Sequence, residues 1–483
     1  MRLKQHKFSL VCILFCFVFN SACSQSVTAE KDSYGIDQTN KLIVWHVPDL
    51  DTSLSIGQNV SELVFDSNYK MTSSNTKLSY EQSYKVNANG SDYKLYVTKL
   101  PIIQVELDTT TLNSDKKFGA NFRYFYQDKA ISSAMGIRQR GNLSLTFPKK
   151  SYDIEFWNDT ISKEKKDLKF EGLRDDDDLI LDALYNEPLK VRAQVASELW
   201  TEMHKPYYLN EEPDAKSTYR SKYAEVFVNG RYNGVYAMSE SVDRKQLKLK
   251  KNKDNVVRGE LFKANSYAGG PDFKVAGEFN NAFPHYVGFR MEYPVIDYDS
   301  HWDDLAKVLD VVVNQSDANF SSNISKDIHI NNAMDYYLFI NTIGAVDNFA
   351  KNYYLAKYNT NEPFFFVPWD LDSSFGLVQN AEKYTVTDRT FSNNLFDRLL
   401  AVNPNEYKTK LKERWETLRE STLAEKAIIS RFKNYYSEFT EHKIYEREAL
   451  VWPKKTSNQD DYNYLTEWVK GKLKYLDKYV EQL

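Results

Sequence analysis

Cysteine is almost absent: the 483 residues contain three, Cys12, Cys16 and Cys23, all among the first two dozen positions. Past that segment no disulfide and no thiolate metal site can form. Histidine is nearly as sparse. His46, His204, His285, His301, His329 and His442 show no metal-ligand spacing, which argues against zinc. With 17 Gly and 13 Pro there is little room for long low-complexity linkers. A G-x-G-x-x-G phosphate loop is missing, since Gly136 and Gly141 stand with no glycine between them. Basic charge is not in surplus. The 63 Lys and Arg against 67 Asp and Glu give −4, which speaks against a dedicated nucleic-acid binder. Beyond residue 22 there is no run of 18 apolar residues, so no further membrane-crossing segment is expected. The composition that remains, 42% apolar, 14% aromatic and 27% charged, is that of a folded chain, too long for a single core.

The first segment has the layout of an export signal over 1–22. Arg2, Lys4 and Lys7 precede the apolar stretch from Phe8 to Phe19, and Asn20-Ser21-Ala22 leads into Cys23. Small-small-Cys after an apolar run resembles a bacterial lipobox, in which Cys23 is lipidated and becomes the new N-terminus, although Asn20 stands where such boxes prefer Leu. The expected location is therefore outside the cytoplasm, lipid-anchored in the cell envelope or, with cleavage near Cys23, secreted.

Residues 23–39 are polar and are expected to be a tether. Residues 40–100 carry β-rich runs (KLIVWHV, ELVFDS, YEQSYKV, DYKLYVT) between Asn, Ser, Gly and Asp clusters, predicting a small all-β, sandwich-like module. Pro101 ends it. Further strands follow to about residue 157, and Asp175–Asp178 reads as a solvated turn. The spacing of Val191, Val195, Leu199 and Met203 predicts a helix over 188–204, with Pro188 at its start. Asn229-Gly230 between two alternating runs predicts a tight hairpin over 224–240. From about residue 302 helices dominate, interrupted by one β-rich stretch at 352–370, and 421–483 is expected to pack as C-terminal helices on a main domain over 101–420. The fold class is α+β, a strand-rich half followed by a helix-rich half with a cleft between them.

The stretch from Asp335 to Gly376 carries the most chemistry. A helix breaks at Gly344, a loop holds Asp347, and two strands joined by a turn centred on Asn361 place Asn352 opposite Asp370. Two carboxylates and an amide then meet at one end of a hairpin. A protein-kinase catalytic loop has the same order: Asp, four residues, Asn, then a hairpin and a second Asp that holds magnesium. Asp347 could orient or deprotonate an attacking hydroxyl, and Asn352 with Asp370 could hold Mg²⁺ between phosphates. Oxygen donors without Cys or His suit such a hard cation. The plainer reading makes Asp347 a turn cap and leaves Asp370 and Asp372 in a solvated loop.

Four blocks, in order, resemble the CotH family of atypical kinases first recognised as spore-coat proteins: RGNLSLTFPKKSYDIEF (140–156), LILDALYNEPLKVRAQVASELW (179–200), AEVFVNGRYNGVYAMSESVDRKQL (224–247) and AVDNFAKNYYLAKY…FFFVPWDLDSSFG (345–376). They span roughly residues 100–420. The resemblance implies a two-lobed protein-kinase-like fold, here preceded by an Ig-like module. It implies transfer of phosphate from ATP, with Mg²⁺ or Mn²⁺, to serine or threonine of an envelope protein. It puts Asp347 at the catalytic position, Asp370 at the metal position, and Asn352 and Asp372 beside them. Lys149 or Lys150 would reach the nucleotide phosphates, the family pattern favouring Lys149. Arg138 and Arg140 would add phosphate contacts, Glu240 would lie at the inter-lobe hinge, and Arg192 or Glu198 would position the lysine or a phosphate. Asn186-Glu187-Pro188 departs from the Asp-containing turn usual in the family. Fold does not fix function, so a catalytically silent kinase-like surface protein serving in binding, adhesion or envelope structure is the alternative.

Overall fold

The computed structural model describes residues 25–50, 60–73, 76–108, 112–254, 256–277, 283–296, 301–453 and 459–483; the expected export signal and Cys23 lie outside them. The protein is a mixed α+β molecule with several sheets, the first in an all-β N-terminal region. No helix among the described residues is long and apolar enough to cross a membrane.

Seven short strands open the chain: β1 (Gln25–Thr28), β2 (Tyr34–Asp37), β3 (Leu42–His46), β4 (Val60–Val64), β5 (Asn68–Met71), β6 (Ser83–Ala88) and β7 (Ser91–Thr98). They form one sheet in the order β1-β4-β5-β6-β7-β3-β2, a single hydrogen-bonded series in place of the two stacked sheets expected. Alternation puts Tyr84, Val86 and Ala88 on the buried face with Trp45, Leu63 and Leu95. The expected tether over 23–39 is corrected here. β1 runs parallel to β4, and β2 runs antiparallel to β3, so polar segments become strands because distant partners take up their backbone groups.

This sheet is joined to the rest of the chain by packing as well as by sequence. Its other face sets Leu42, Val44 and Tyr96 against Ile102, Phe227 and Tyr232. Gly35 sits so close to the Phe227 ring that a Cβ would lie 2.2 Å from it, so only glycine permits the approach. The Tyr232 N–H donates to Asp37 Oδ2 (3.0 Å), and the Gln127 N–H donates to His46 Nε2 (2.8 Å).

Next, β8 (Ile102–Leu107), β9 (Phe118–Tyr126), β10 (Lys129–Arg140), β11 (Ser151–Trp157), β12 (Asp178–Asp182), β13 (Ser221–Val228) and β14 (Arg231–Ser239) close into a barrel in the order β10-β11-β12-β14-β13-β8-β9. Phe122, Met135, Ile137, Ile154 and Phe156 fill its interior. Asn229 and Gly230 both adopt positive φ (+48° and +69°), the twist that a two-residue hairpin turn needs between β13 and β14. Between β12 and β13 lies α1 (Arg192–Met203), which starts four residues later than expected from Pro188. Its cap is the buried Glu187 carboxylate, which takes the N–H groups of Leu189 (2.9 Å), Val191 and Arg192 (3.2 Å) and pairs with the Arg192 guanidinium. Asp176 and Asp177 are buried ion-pair partners, and not parts of a solvated turn. Lys245 bonds both at 2.7 Å, and Arg174 holds Asp176.

After the short α2 (Arg244–Leu247), a second layer assembles from β15 (Glu260–Ala264), β16 (His285–Tyr286), β17 (Phe289–Tyr293), β18 (Tyr353–Lys357) and β19 (Phe364–Pro368), in the order β16-β17-β15-β18-β19. Helices α3 (Asp303–Val313), α4 (Asp317–Asp327) and α5 (Ile330–Ile343) lead into β18. Helices α6 (Asn394–Val402), α7 (Tyr407–Arg419), α8 (Glu425–Glu441), α9 (Ile444–Val451) and α10 (Gln459–Glu481) come after β19. One core joins this layer to α1 and the terminal helices, with Trp200, Trp302, Phe339, Phe366, Phe432 and Leu465 buried in it.

Candidate active site

A cleft of about 940 Å³ opens between the rim of the barrel and the five-stranded sheet. The barrel contributes Arg138 and Arg140 from β10, Ser151 and Asp153 from β11, and Asp182 from β12. The sheet side contributes Lys263 on β15, Arg290 and Glu292 on β17, the loop holding Asp347 and Asn352, and the segment after β19 holding Asp370 and Asp372.

The hairpin register differs from expectation by one residue. Tyr353 pairs with Pro368 and Lys357 with Phe364, so Asn352 faces Trp369, whose N–H donates to the Asn352 carbonyl (3.2 Å). The six residues 358–363, not five, join the strands. Asp370 comes immediately after with φ +59°, and Asn352 has φ +57°; both bend the backbone where the ladder ends. Asn348, which sequence reasoning did not single out, ties the mouth together. Its buried side-chain amide donates to the carbonyls of Asn352 (2.7 Å) and Trp369 (2.9 Å). Its own carbonyl accepts from the Tyr336 hydroxyl (2.7 Å). Gly344 ends α5 at φ +64°, against Trp468 at a distance that excludes any side chain. The loop that presents Asp347 is thus fixed at both ends.

Charge defines what this cleft can do. Asp370 opens onto the cleft, yet protein crowds it on its other sides; that crowding pushes its carboxyl upward, Asp182 and Asp347 add to the push, and Arg140 and Lys263 oppose it. Asp372 is likewise pushed up, to about 7, by burial and then by Asp370 and Asp182, although Asn186 donates to its Oδ2 (2.9 Å). The Arg140 guanidinium lies 5.8 Å from the Trp369 ring centroid, and the Lys263 ammonium 5.9 Å from it. Burial pulls Lys263 below the usual lysine range. Neither cation forms an ion pair among the described residues, so both are available to an anion. Asp347 accepts a hydrogen bond from the Tyr267 hydroxyl at 2.6 Å. Carboxylates held above their ordinary range by one another would be relieved by a cation. The donors fit a hard one: carboxylate and amide oxygens, no sulfur and no imidazole. Mg²⁺ commonly takes only one or two protein carboxylates and completes its shell with water and phosphate. Two tighter carboxylate trios, Glu155/Asp177/Asp178 and Asp167/Asp176/Asp177, lie outside the cleft, against Lys165 and Lys245.

The profile of the CotH kinase protein family matches residues 137–476. This chain belongs to the CotH kinase family. The chain is also 23% identical over 405 residues to inner spore coat protein H of Bacillus subtilis (strain 168), covering 80% of this chain and 99% of that protein. The family match runs beyond residue 420, where the resemblance read from the four blocks was expected to end, and takes in α8, α9 and much of α10.

In this CotH chain Lys149 lies in the bend just before β11 and lines the cleft wall, but only 1% of it is exposed. Its ammonium donates to the Val235 carbonyl and to Glu448 Oε1, both at 2.7 Å. Lys190 approaches the same Glu448 oxygen at 3.1 Å. Burial lowers Lys149 to about 8, with Glu448 opposing the shift and Lys190 adding to it. Nothing in the local sequence singles out Glu448, because it arrives from α9. Lys150 is turned away and donates to the Leu145 carbonyl (2.6 Å). Glu240 is buried outside the cleft, its oxygens taken by Arg174 N, Arg220 and Gln246. In this structure its carboxylate serves as a structural anion, set apart from the cleft lining. Arg192 is spent on Glu187, and Glu198 accepts from Gln194 and Tyr435 away from Lys149. Arg138 lines the cleft but is bound to Asp153 (2.7 Å), leaving Arg140, Lys263 and Lys351 as cleft cations without an ion pair among the described residues.

Proposed function

We propose that this protein is an exported kinase that transfers the γ-phosphate of ATP to a serine or threonine hydroxyl of an envelope or surface protein. The observation that carries the reading is the mouth of the β18–β19 hairpin, where Asp347, Asn352 and Asp370 meet in a cleft faced by Arg140 and Lys263. In this reading the fold works as an atypical two-lobed kinase, with the barrel as one wall and the five-stranded sheet with its helices as the other. Asp347 orients the acceptor hydroxyl and takes its proton. Asp370, with Asn352 and Asp372, would hold Mg²⁺ or Mn²⁺, which would neutralise phosphate charge. Arg140 and Lys263 face that charge from either side. Lys149 braces the cleft wall through Glu448 and does not itself reach a phosphate. The relative's name, inner spore coat protein H, supports an envelope setting, and lipidation at Cys23 would anchor the chain there.

A second reading, a silent kinase-like binding or adhesion protein, draws on one observation: the ammonium of Lys149, the lysine the family pattern favours for the phosphates, is taken by the Val235 carbonyl and Glu448. One pair of variants separates the two. Asp347→Ala should keep Mg²⁺-dependent ATP binding and lose transfer of a labelled γ-phosphate, whereas Asp370→Ala should weaken binding as well. Binding is read by thermal shift; a ligand at a hundredfold excess over Kd adds roughly 2.7 kcal/mol. No labelling of any acceptor by the wild type, together with nucleotide binding that neither variant alters, would hand the assignment to the binding protein.

A further inference from the structure

Tyr267 is more than half exposed, at 58%, yet its hydroxyl is not free. It donates to Asp347 Oδ1 at 2.6 Å, a separation within the roughly 2.6–3.2 Å that a general base needs from the proton it takes. The contact joins residues 80 positions apart. The loop that brings Tyr267 there is pinned on both flanks. Asn265 and Ser266 donate backbone N–H groups to the Gly288 carbonyl (2.9 and 3.1 Å), and the Gly270 N–H donates to the Val287 carbonyl (2.9 Å). The Tyr353 hydroxyl, from β18, holds the Pro271 carbonyl at 2.6 Å. The phenol is therefore held over Asp347, on the same loop cluster whose charge is felt at Asp370. Lys351 lies 5.8 Å from its ring centroid, a cation at hand for a new anion.

From this placement we propose that Tyr267 is an intramolecular phosphoryl acceptor, so that the chain modifies its own cleft wall. The proposal rests on the kinase reading above. In the step, Tyr267 Oη forms a bond to the γ-phosphorus of a nucleoside triphosphate. The bond from that phosphorus to the bridging oxygen breaks, the nucleoside diphosphate leaves with the bridging oxygen and its electron pair, and the phenol proton passes to Asp347. Burial and the Asp347 carboxylate both push the Tyr267 hydroxyl above its ordinary range, so it keeps its proton until a base removes it. The product places a phosphate of charge about −1.5 to −2 against the Asp347 carboxylate. Like charges so close repel, so the modified tyrosine leaves Asp347 and uncovers it for an outside hydroxyl.

The test begins on the chain free of metal and nucleotide. With ¹³C-labelled tyrosine, the Tyr267 ring resonance should titrate at higher pH in the wild type than in Asp347→Ala; identical titration would remove the contact and the proposal with it. With ATP and Mg²⁺, peptide mass spectrometry should find phosphate on Tyr267 in the wild type and not in Asp347→Ala. The labelled fraction at a fixed time should not change when the protein is diluted. Phosphate appearing on serine or threonine peptides supplied in the mixture, with Tyr267 unmodified, overturns this proposal and leaves the kinase reading standing. A labelled fraction that falls on dilution overturns the intramolecular step. No phosphate on any residue, with no nucleotide binding, removes the kinase reading as well.

Discussion

Glu448 offers the most demanding test of how the cleft wall is held. It is buried with Lys149 at 2.7 Å and Lys190 at 3.1 Å, and one of its oxygens also accepts the Val235 N–H (2.8 Å). Glu448→Gln keeps the volume and removes the charge, leaving two ammonium groups facing each other in a dry site. Breaking a buried ion pair by removing one partner costs about 3–5 kcal/mol. The cost has a pH signature. Lys149 already sits at about 8 with its carboxylate present, so without it the lysine gives up its proton more easily still. At low pH Lys149 is charged in both proteins, and the variant lacks the carboxylate that pairs with it. As pH rises through 8 Lys149 neutralises in the wild type too, and the attraction it held to Glu448 is lost. The deficit should therefore be largest near pH 6 and shrink toward pH 9. Guanidinium unfolding followed by tryptophan fluorescence at several pH values reads it directly. Glu446→Gln is the control: Glu446 pairs with Lys94 at the surface, where an ion pair is worth about 0–1 kcal/mol. A Glu448→Gln deficit no larger than the control's, or one constant from pH 6 to 9, would refute the account of Lys149 as a buried, paired cation.

Further expectations concern the cleft carboxylates, the hairpin mouth and the anchor. Asp370 and Asp372 are both pushed up, Asp372 to about 7, so protons compete with a cation for this pair; calorimetric Mn²⁺ affinity should climb from pH 6 to 8, and a flat profile would show that Asp372 is not a ligand. The sign for folding is opposite. Carboxyls raised in the native state bind more protons there than in the unfolded chain, so their contribution to stability falls as pH rises toward about 7, and bound metal should cancel that fall. Asn348→Ala takes the side-chain donor from the buried Trp369 carbonyl, at about 1–3 kcal/mol for an unsatisfied group, while the Asn352 carbonyl keeps the Trp369 N–H; it should reduce the Mg²⁺-ATP thermal shift alongside stability, and unchanged nucleotide binding would mean the hairpin mouth holds its shape without it. Cys23→Ala should move the protein from the detergent phase to the aqueous phase, and an unchanged partition would leave plain secretion.

What the chain disclosed by itself was local. The Asn229-Gly230 hairpin shows because a positive-φ pair lies between two alternating runs, and the order Asp347, Asn352, Asp370 shows because all three lie on one helix–loop–hairpin segment. Even there the register slipped by one, since a six-residue loop with Asn361 at φ +64° has the same residue types as a five-residue turn. Longer-range facts were hidden. β1 becomes a strand only beside β4, and Lys149 meets Glu448 across 299 positions. Glu240 looked like a hinge residue because it ends a strand; three separate donors from the folded chain make it a structural anion. Lys263 has no motif around it, and becomes a cleft cation because β15 lies between β17 and β18.

Neighbouring residues Arg447 and Glu448 on α9 reach into two different places. Arg447 holds Glu225 of the barrel and Thr98 of the first sheet, while Glu448 holds Lys149 at the cleft. A ribosome makes the barrel residues first and α9 222 to 299 positions later. Until α9 arrives, Glu225 and Lys149 are charges that the closed barrel cannot shelter, and water is their better partner. The cleft is thus finished by a helix made long after its walls, and a product broken off before residue 444 would be left with open walls and unpaired charges. Such a fragment should therefore be cut by proteases more readily than the full chain.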